Sequence, residues 1–447
     1  MVRTVNRRNF IKTGIAAGMA SALRPVRMAA QADKAKKLRI GMIGVGLRGT
    51  GHLRNLMARS DVTVPAICDI DPVRIPIAQQ VIEKAGQKKA EVYSDGDLAY
   101  RKLLARGDLD GVVVATPWLW HHPMAVDAMK ARVPVGIEVS GAASLQECWE
   151  LVEMQENSGT PYMFLENVCY RRDVMAVLNM IRQGLFGELI HCRCGYQHDL
   201  RAVKFEPGVE FGPNGRHESA WRTEQSVYRN GDLYPTHGVG PVATYLNINR
   251  GNRFVSLTSL ATKTRGLHNY IVEHGGPDHP NAKTAFKLGD IITTLIRCAN
   301  GETVLVTHDT NLPRPYSLGF YVHGTKGLWV HDGDHMYFEG KSPKAHQWEP
   351  DTEYLKTYDH PLWKAYESRA EGAGHGGMDF YVLNAYVECL KRKAPFPIDV
   401  YDAAAWKAVT PLSEQSIAEG GEPQAFPDFT RGRWTVHRPI FALGDAY

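Results

Sequence analysis

One short stretch near the N-terminus constrains the fold of this chain more than any other. Residues 38–49 read as an apolar strand, a glycine turn and a helix start, and Gly44, Gly46 and Gly49 have the spacing G-x-G-x-x-G. In that arrangement the first glycine permits a tight turn, the second lets backbone N–H groups approach a pyrophosphate, and the third lets helix and strand pack closely. The pyrophosphate would lie at the helix N-terminus, where unpaired N–H groups and the helix dipole favour an anion.

A second apolar run favours a dinucleotide over the alternative, a glycine turn in a flavodoxin-like domain that binds no nucleotide. Residues 62–68 end at Asp69, twenty positions after Gly49. A carboxylate at this place accepts hydrogen bonds from both hydroxyls of an adenine ribose and repels a 2′-phosphate. The sequence therefore predicts NAD, in preference to NADP, as the cofactor.

The region from residue 37 to about 166 alternates apolar runs with helical segments. Further strands are predicted at 111–116, 133–139 and 162–165, separated by helices. Strands spaced in this way form a parallel, doubly wound sheet, and ligands bind at the carboxyl ends of its strands. For Trp120, packing under a loop is an equally good interpretation. The candidates for cofactor contact at or just after strand ends are Asp69, Trp118, His121, Glu138 and Asn167.

The second half of the chain has a different pattern. Strand-like runs with short connections occur at 187–196, 254–261, 290–298, 303–309, 319–322 and 327–330. Short connections are typical of an antiparallel sheet. The predicted fold class is α/β, with a doubly wound Rossmann domain at 33–166 and an α+β substrate domain at 167–447. The second domain carries an open, mainly antiparallel sheet, and its helices at 378–391 and 402–418 could pack back on the first domain.

The N-terminus is predicted to be an export signal and not part of the fold. Residues 6–12 fit the twin-arginine pattern, and residues 15–23 are apolar but too short to span a bilayer. Residues 30–32 form an A-x-A cleavage site, so that residues 1–32 would be removed. The alternative is a basic disordered tail. Export of the folded protein to the periplasm would allow NAD to bind before the chain leaves the cytoplasm.

Composition and motifs exclude several other classes of function. The net charge of +4 is small for 447 residues and no long basic run occurs in the body of the chain, so nucleic acid is not indicated. Seven scattered cysteines without a C-x-x-C pair argue against a disulfide framework. Reactive side chains concentrate at 195–201, at 220–241 and at 308–316, but without a metal-binding motif.

With the glycine turn in place, the chain resembles the glucose–fructose oxidoreductase and inositol dehydrogenase superfamily. Typical sugar dehydrogenases of that superfamily carry Glu-Lys-Pro after the fifth strand, and the lysine assists hydride transfer. This chain has Glu138-Val139-Ser140 there, without the lysine. Those enzymes also carry an aspartate shortly before the histidine of the catalytic loop, where this chain has Tyr234. An ordinary dehydrogenase therefore fits poorly.

A closer resemblance is to glycoside hydrolase family 109, the NAD-dependent α-N-acetylgalactosaminidases. Matching stretches lie at 45–49, 138–142, 165–176, 195–201, 233–241 and 374–379, and the resemblance runs from about residue 38 to 447. It implies an NAD site formed by Gly44, Gly46, Leu47, Arg48, Gly49, Asp69, Trp118, Leu119, Trp120, His121, Glu138, Val139 and Asn167. It implies a sugar site formed by Tyr196, Arg222, Tyr234, His237 and Tyr316, with Tyr196, Tyr234 and His237 as catalytic residues.

The resemblance also implies a mechanism. Oxidation at C3 of the sugar acidifies the proton at C2; a base removes it, the C1 substituent leaves, water adds, and the sugar is reduced again. The substrate would be a glycan with a terminal α-N-acetylgalactosamine, and no net redox change would occur. Two alternatives stay open: a periplasmic NAD-dependent sugar dehydrogenase or epimerase, and a silent sugar-binding protein with structural NAD. Relatives with an open sheet also suggest a homodimer.

Overall fold

The computed structural model describes residues 37–141, 144–208, 211, 215, 217–445 and 447. The predicted export signal at residues 1–32 lies outside the described residues. Among those residues, no helix is long and apolar enough to cross a membrane.

The first sheet is parallel throughout, with the strand order β4-β3-β1-β5-β6-β7 and β2 added beside β1. The strands are β1 (Leu38–Ile43), β2 (Val62–Thr63), β3 (Ala66–Cys68), β4 (Glu91–Tyr93), β5 (Gly111–Val114), β6 (Val135–Ile137) and β7 (Tyr162–Phe164). The apolar run at 62–68 thus forms two strands and not one, with Pro65, which has no backbone N–H to donate, between them. The short strand β4 was not predicted from the sequence.

Helices connect these strands on both faces, as in a doubly wound fold. They are α1 (Leu47–Met57), α2 (Arg74–Lys84), α3 (Ala99–Leu104), α4 (Trp118–Lys130) and α5 (Leu145–Ser158). Local sequence explains the bounds of α5. The Ser144 side chain accepts from the Glu147 N–H at 3.2 Å, and Gly159 ends the helix with a φ of 65°.

The second sheet has the order β15-β14-β13-β12-β8-β11-β10-β9-β16. Its strands are β8 (Leu189–Gln197), β9 (Phe254–Ala261), β10 (Ile291–Cys298), β11 (Thr303–Asp309), β12 (Tyr321–Gly324), β13 (Gly327–Val330), β14 (His335–Phe338), β15 (Glu349–Pro350) and β16 (Gln424–Ala425). Neighbours pair antiparallel except β8 and β11, which run parallel in the middle of the sheet. The predicted fold class, a Rossmann sheet followed by an α+β part with a mainly antiparallel sheet, is confirmed.

Most helices of the second part were not predicted from the sequence. They are α6 (Arg172–Arg182), α7 (Arg201–Lys204), α8 (His217–Tyr228), α9 (Thr236–Tyr245), α10 (Gly266–Gly275), α11 (Thr352–Thr357), α12 (Pro361–Ala370), α13 (Met378–Arg392), α14 (Val400–Lys407) and α15 (Val409–Ala418). The helix predicted at 402–418 is two helices, α14 and α15. Pro411 lacks the N–H that a continuous helix would bond to Lys407, so the helix breaks before it.

Helices from the end of the chain complete the core around the first sheet. The Tyr386 hydroxyl of α13 donates to the carbonyls of Val112 and Pro134, each at 2.9 Å. On the other side, the Tyr401 hydroxyl of α14 donates to Glu156 of α5 at 2.7 Å. Apolar side chains from both parts of the chain form one continuous buried cluster. The glycine turn and the second sheet are therefore held in a fixed relation.

Candidate active site

The glycine turn has the shape that a bound pyrophosphate requires. Gly44 has a φ of +84°, and a Cβ on Gly49 would lie 2.0 Å from the Gly44 carbonyl oxygen, so that both positions need glycine. At Gly46, which precedes α1, a Cβ would meet no atom of the described residues within 4 Å. The turn is thus packed on one side and open on the side that a dinucleotide would approach.

Asp69 lies after β3 beside this turn. Its Oδ2 accepts from the Val45 N–H at 2.7 Å, and its Oδ1 accepts from the Asp71 N–H at 2.9 Å. The carboxylate is therefore fixed in orientation next to the open side of the turn. This arrangement fits the ribose contact predicted from the sequence.

Three further residues that were predicted to contact NAD differ in their exposure to solvent. Leu47 and Leu119 are 65% and 60% exposed, and so present free apolar surface to a ligand. Trp120 packs on Tyr100 with ring centroids 6.5 Å apart, which agrees with the packing interpretation of its role.

His121 is buried and engaged with the protein. Its ring donates from Nε2 to the Thr116 carbonyl at 2.7 Å and lies 3.1 Å through Nδ1 from the Ser140 hydroxyl. Burial, and then the charge of Lys407, lower the pKa of His121 to about 4, so that the ring is neutral at pH 7. These contacts hold the turn between β5 and α4 in place.

Arg48 is held between two buried carboxylates. Its Nε donates to Glu138 Oε1 and a terminal nitrogen donates to Asp379 Oδ2, both at 2.6 Å. His52 also contacts Glu138 Oε1, and Asn167 donates to Asp379 Oδ1 at 2.7 Å. The ends of β6 and β7 are thus joined through Arg48 to the N-terminus of α13.

The charges in this network are stabilised by one another. Burial alone would raise the pKa of Glu138, but the charge of Arg48 and the hydrogen bond from His52 hold that pKa well below its usual range. For Asp379, burial is likewise outweighed by the hydrogen bond from His375 and the charge of Arg48, which lower its pKa. Both carboxylates are ionised at all ordinary pH values.

Val139, also predicted as a cofactor contact, is buried and donates its N–H to Glu138 Oε2 at 2.9 Å.

His237 forms a dyad with Glu166. The imidazole Nδ1 lies 2.7 Å from Glu166 Oε1, and that oxygen also accepts from the Val168 N–H at 3.1 Å. Glu166 is 0% exposed, and its Oε2 accepts no hydrogen bond within the described part of the chain. With Nδ1 engaged, Nε2 is the ring nitrogen that can exchange a proton with a ligand.

Glycines bring this dyad to the second sheet. A Cβ on Gly238 of α9 would lie 2.5 Å from the backbone nitrogen of Gly195 in β8. Two residues on, a Cβ on Gly240 would lie 3.1 Å from Glu166 Cγ, a tight contact. The absence of a Cβ at Gly238 thus lets α9 lie directly on β8, and Gly240 eases its packing against the end of β7. His237 therefore comes within reach of Tyr196.

Two tyrosines of the predicted sugar site, Tyr196 and Tyr234, pack against His237. The ring centroid of Tyr234 lies 4.8 Å from that of His237 and 4.5 Å from that of Tyr196. Tyr234 also stacks on Trp118 at 5.3 Å. The Arg222 guanidinium lies 5.0 Å from the Trp118 ring centroid and 5.4 Å from that of Tyr234. The structure thus places Trp118, predicted as a cofactor contact, between the two halves of the site.

The tyrosines of this cluster are hydrogen-bond donors. The charge of Arg222 acts to lower the pKa of these tyrosines, and burial acts to raise it. Burial raises the pKa of Tyr196 even though the charge of Arg222 opposes it, and burial raises the pKa of Tyr234 still further. Desolvation thus outweighs the nearby cation, and the protonated, donor form of both tyrosines is favoured.

Tyr316 lies at the edge of the cluster. Its ring centroid is 6.4 Å from that of Tyr196 and 4.9 Å from that of His198, and the residue is 47% exposed. The five predicted sugar-binding residues come from β8, α8, α9 and two loops, yet they meet in one place. Tyr316 forms the solvent side of that place.

A buried basic group lies behind the cluster. Lys204 donates to Thr310 Oγ1 at 2.8 Å and to Asn311 Oδ1 at 2.6 Å. Burial, and then the charge of Arg222, lower the pKa of Lys204 to about 7. A small cavity of about 10 Å³ between Lys204, Ser226 and His308 has room for about one water molecule.

Sequence reasoning did not single out Glu166, His52, Asp379 or Lys204. Glu166 follows β7 immediately before Asn167, so the strand-end rule that selected Asn167 could have found it. Asp379 lies 331 positions from Arg48, and no sequence spacing predicts that contact.

Two family models match the chain in succession. Residues 38–165 match the oxidoreductase family with an NAD-binding Rossmann fold, and residues 170–436 match the C-terminal domain of glycosyl hydrolase 109. Together they cover both parts of the fold. The second match contains the five residues of the predicted sugar site.

Similar proteins extend over the full chain. A glycosyl hydrolase family 109 protein from Stenotrophomonas maltophilia is 53% identical over 455 residues, 99% of both chains. An alpha-N-acetylgalactosaminidase from Tannerella forsythia is 50% identical over 98% of this chain and 99% of that protein. A solved levoglucosan dehydrogenase in complex with NADH and levoglucosan has a TM-score of 0.65 at 19% identity, over 88% of this chain and 100% of that one. The last likeness shows the fold alone.

Proposed function

The chain belongs to glycosyl hydrolase family 109, and from this premise we propose that it removes terminal α-N-acetylgalactosamine from glycans with NAD as a catalytic cofactor. The family makes it a glycoside hydrolase with an NAD-binding Rossmann domain. The proposed sugar specificity is supported by the relative from Tannerella forsythia, whose name states that activity. The observation that carries the proposal is the His237–Glu166 dyad, which packs against Tyr196 and Tyr234 next to the cofactor side.

The open glycine turn and the fixed Asp69 fit NAD. Gly46 would take the pyrophosphate on the N-terminus of α1, Asp69 the adenine ribose, and Trp118, Arg48 and Glu138 the nicotinamide half. A bound NAD would supply the hydride acceptor for oxidation at C3 of the sugar and the hydride donor for its later reduction, so that the reaction would have no net redox change.

The side chains supply the proton transfers. His237 accepts the C2 proton at Nε2, and Glu166 stabilises the resulting imidazolium through Nδ1. Tyr196 and Tyr234, which stay protonated, donate hydrogen bonds to sugar oxygens. The fixed positive charge of Arg222 stabilises negative charge that develops on the oxidised sugar. These roles are consistent with the missing lysine after Glu138, because the base is a histidine on another element.

The decisive experiment follows p-nitrophenol release from p-nitrophenyl α-N-acetylgalactosaminide in deuterated water, with NMR of the released sugar. We expect release with deuterium at C2 and without net NADH. Release without deuterium would contradict the elimination route. NADH accumulation from free sugars, without p-nitrophenol, would instead indicate a dehydrogenase. Full turnover by Tyr234→Phe and His237→Ala variants that are folded and loaded with NAD would overturn the assigned roles.

We also propose that the protein is exported to the periplasm through the twin-arginine route. The support is the sequence pattern at residues 6–12. Fractionation of cells that express the full chain and an Arg7→Lys/Arg8→Lys variant tests this. Periplasmic activity from the first and none from the second is expected; equal periplasmic activity from both would contradict it.

A homodimer through the outer face of the second sheet is the third proposal. Leu260 of β9 and Leu295 of β10 are 61% and 47% exposed on neighbouring strands. A second copy would cover this apolar surface. Light scattering of the purified protein should give twice the mass of one chain, and Leu295→Glu should reduce it; a monomeric wild type would contradict the proposal.

A further inference from the structure

A large groove lies beside the candidate active site and is not part of it. It has a volume of about 600 Å³, within the range of sites that bind small ligands. Its walls come from the start of α6, from α11 and from the loop that precedes α13. The polar residues that line it are Arg171, Arg172, Asp173, Lys356, Asp359 and His375.

Both arginines of the groove are paired with carboxylates. Arg172 donates to Asp359 at 2.8 Å and to Glu367 at 2.6 Å, and its side chain is still 46% exposed. Arg171 lies 2.9 Å from Asp173. Paired charges of this kind create little net field but offer fixed donors and acceptors to the groove. Such a surface suits sugar hydroxyls, each of which both donates and accepts, better than a free anion.

One end of the groove reaches the cofactor side of the site. His375 lies at that end, with Nδ1 2.7 Å from Asp379 Oδ2, the carboxylate that holds Arg48. His375 has a φ of +45° and follows Gly374 at +95°, so that the backbone here is held in a conformation that L residues rarely adopt. Strain of this kind persists where the surroundings fix a residue, and it is concentrated at functional sites.

The other end reaches the sugar side. The Ser317 hydroxyl, next in the chain to Tyr316 at the exposed edge of the sugar cluster, donates to Asp332 Oδ1, which lies 3.3 Å from His331 Nδ1. Arg171 contacts the same His331 through a nitrogen-to-nitrogen distance of 2.5 Å. These contacts connect the Arg171 wall of the groove to the loop that carries Tyr316.

We propose that this groove binds the neutral sugar residues to which the scissile N-acetylgalactosamine is attached. This inference rests on the proposed glycosidase function and deepens it. The groove is connected to the loop of Tyr316 through Arg171 and His331, its volume lies within the range of ligand sites, and Arg172 on its wall is partly exposed to solvent. The enzyme would accordingly select glycans by the sugars beyond the bond that it cleaves.

The test compares two substrates on the NAD-loaded full chain. One is p-nitrophenyl α-N-acetylgalactosaminide, whose small aglycone does not reach the groove; the other is a neutral trisaccharide that ends in α-N-acetylgalactosamine. The variants are Lys356→Trp, which fills the groove from the surface of α11, and Arg172→Lys, which keeps the positive charge beside Asp359 but loses the paired guanidinium donors. Lys364→Trp on α12 is the matched control, since Lys364 is exposed and outside the groove.

We expect the ratio of kcat/KM for the trisaccharide to that for the aryl substrate to fall about tenfold in Lys356→Trp and to stay unchanged in Lys364→Trp. An unchanged ratio in both groove variants, with the aryl substrate still cleaved, would overturn the groove proposal alone. If the wild type cleaves neither substrate, the proposed function fails instead. If Arg172→Lys does not fold, the ratio measured for the surface substitution Lys356→Trp still tests the groove proposal. An equal fall for both substrates, with loss of NAD, would assign the groove to the cofactor and refute the proposal.

Discussion

Replacement of Glu166 by glutamine tests how the site works. The substitution keeps size and shape but removes a charge that lies 2.7 Å from His237 Nδ1 and is shielded from water. At an effective dielectric constant of about 20, two unit charges at this separation interact with about 6 kcal/mol. The glutamine oxygen keeps a hydrogen bond and so retains part of this stabilisation. A loss of about 3 kcal/mol in the transition state, where the imidazole carries the proton, corresponds to a roughly hundredfold lower kcat.

The assay is p-nitrophenol release by Glu166→Gln and by the wild type at equal NAD content. KM and the circular dichroism spectrum should change little, because the substitution removes an interaction of the protonated imidazole and not of the bound sugar. Glu150→Gln is the matched control, since Glu150 lies 3.0 Å from His122 in a more exposed pair and should leave kcat unchanged. If Glu166→Gln keeps kcat within twofold of the wild type, Glu166 does not support proton transfer by His237.

Three other predictions concern the cofactor side and stability. Gly49→Ala places a Cβ 2.0 Å from the Gly44 carbonyl oxygen, so α1 must shift. We therefore expect the free energy of unfolding to fall by about 3 kcal/mol and bound NAD to be lost. A variant that is fully loaded with NAD and has an unchanged melting temperature would contradict this. Asp379→Asn removes one of the two carboxylates on Arg48 and should release NAD on dialysis, whereas retention equal to the wild type would show that Arg48 is held without it. Burial raises the pKa of Asp232 to about 7, above its value in the unfolded chain. The folded protein is therefore stabilised by the protonated carboxyl below about pH 4, and this stabilisation is lost as the pH rises to 7. Asp232→Asn should therefore gain stability relative to the wild type between pH 5 and pH 8, by at most about 4 kcal/mol, and thermal melts that show the opposite trend would refute it.

The local patterns of the sequence predicted the scaffold well. The strands at 254–261, 303–309 and 327–330 have the predicted bounds, and the glycine turn lies between β1 and α1 as expected. These features follow from side-chain periodicity and from backbone conformation, which depend on neighbouring residues only. The strands β4 and β15, of three and two residues, were not recognised, because neither lies in a buried apolar run.

The residues of the candidate site were predicted from their positions at strand ends and from the family resemblance. The contacts between these residues were not predicted. The partner of His237 lies 71 positions away, and the parallel pairing of β8 with β11 follows from how the whole sheet assembles. The raised pKa of Tyr234 likewise depends on how completely the fold buries its hydroxyl.

The sequence by itself determined where a dinucleotide would bind, because a glycine turn and the carboxylate after the next strand are local features with a fixed geometric consequence. Only the tertiary structure decided which buried carboxylate contacts His237 and where a groove lies beside the site. Those properties depend on how far side chains are buried and on distances between residues far apart in the chain. The packing of α9 on β8 and the contact of Asp379 in α13 with Arg48 determine that burial and those distances.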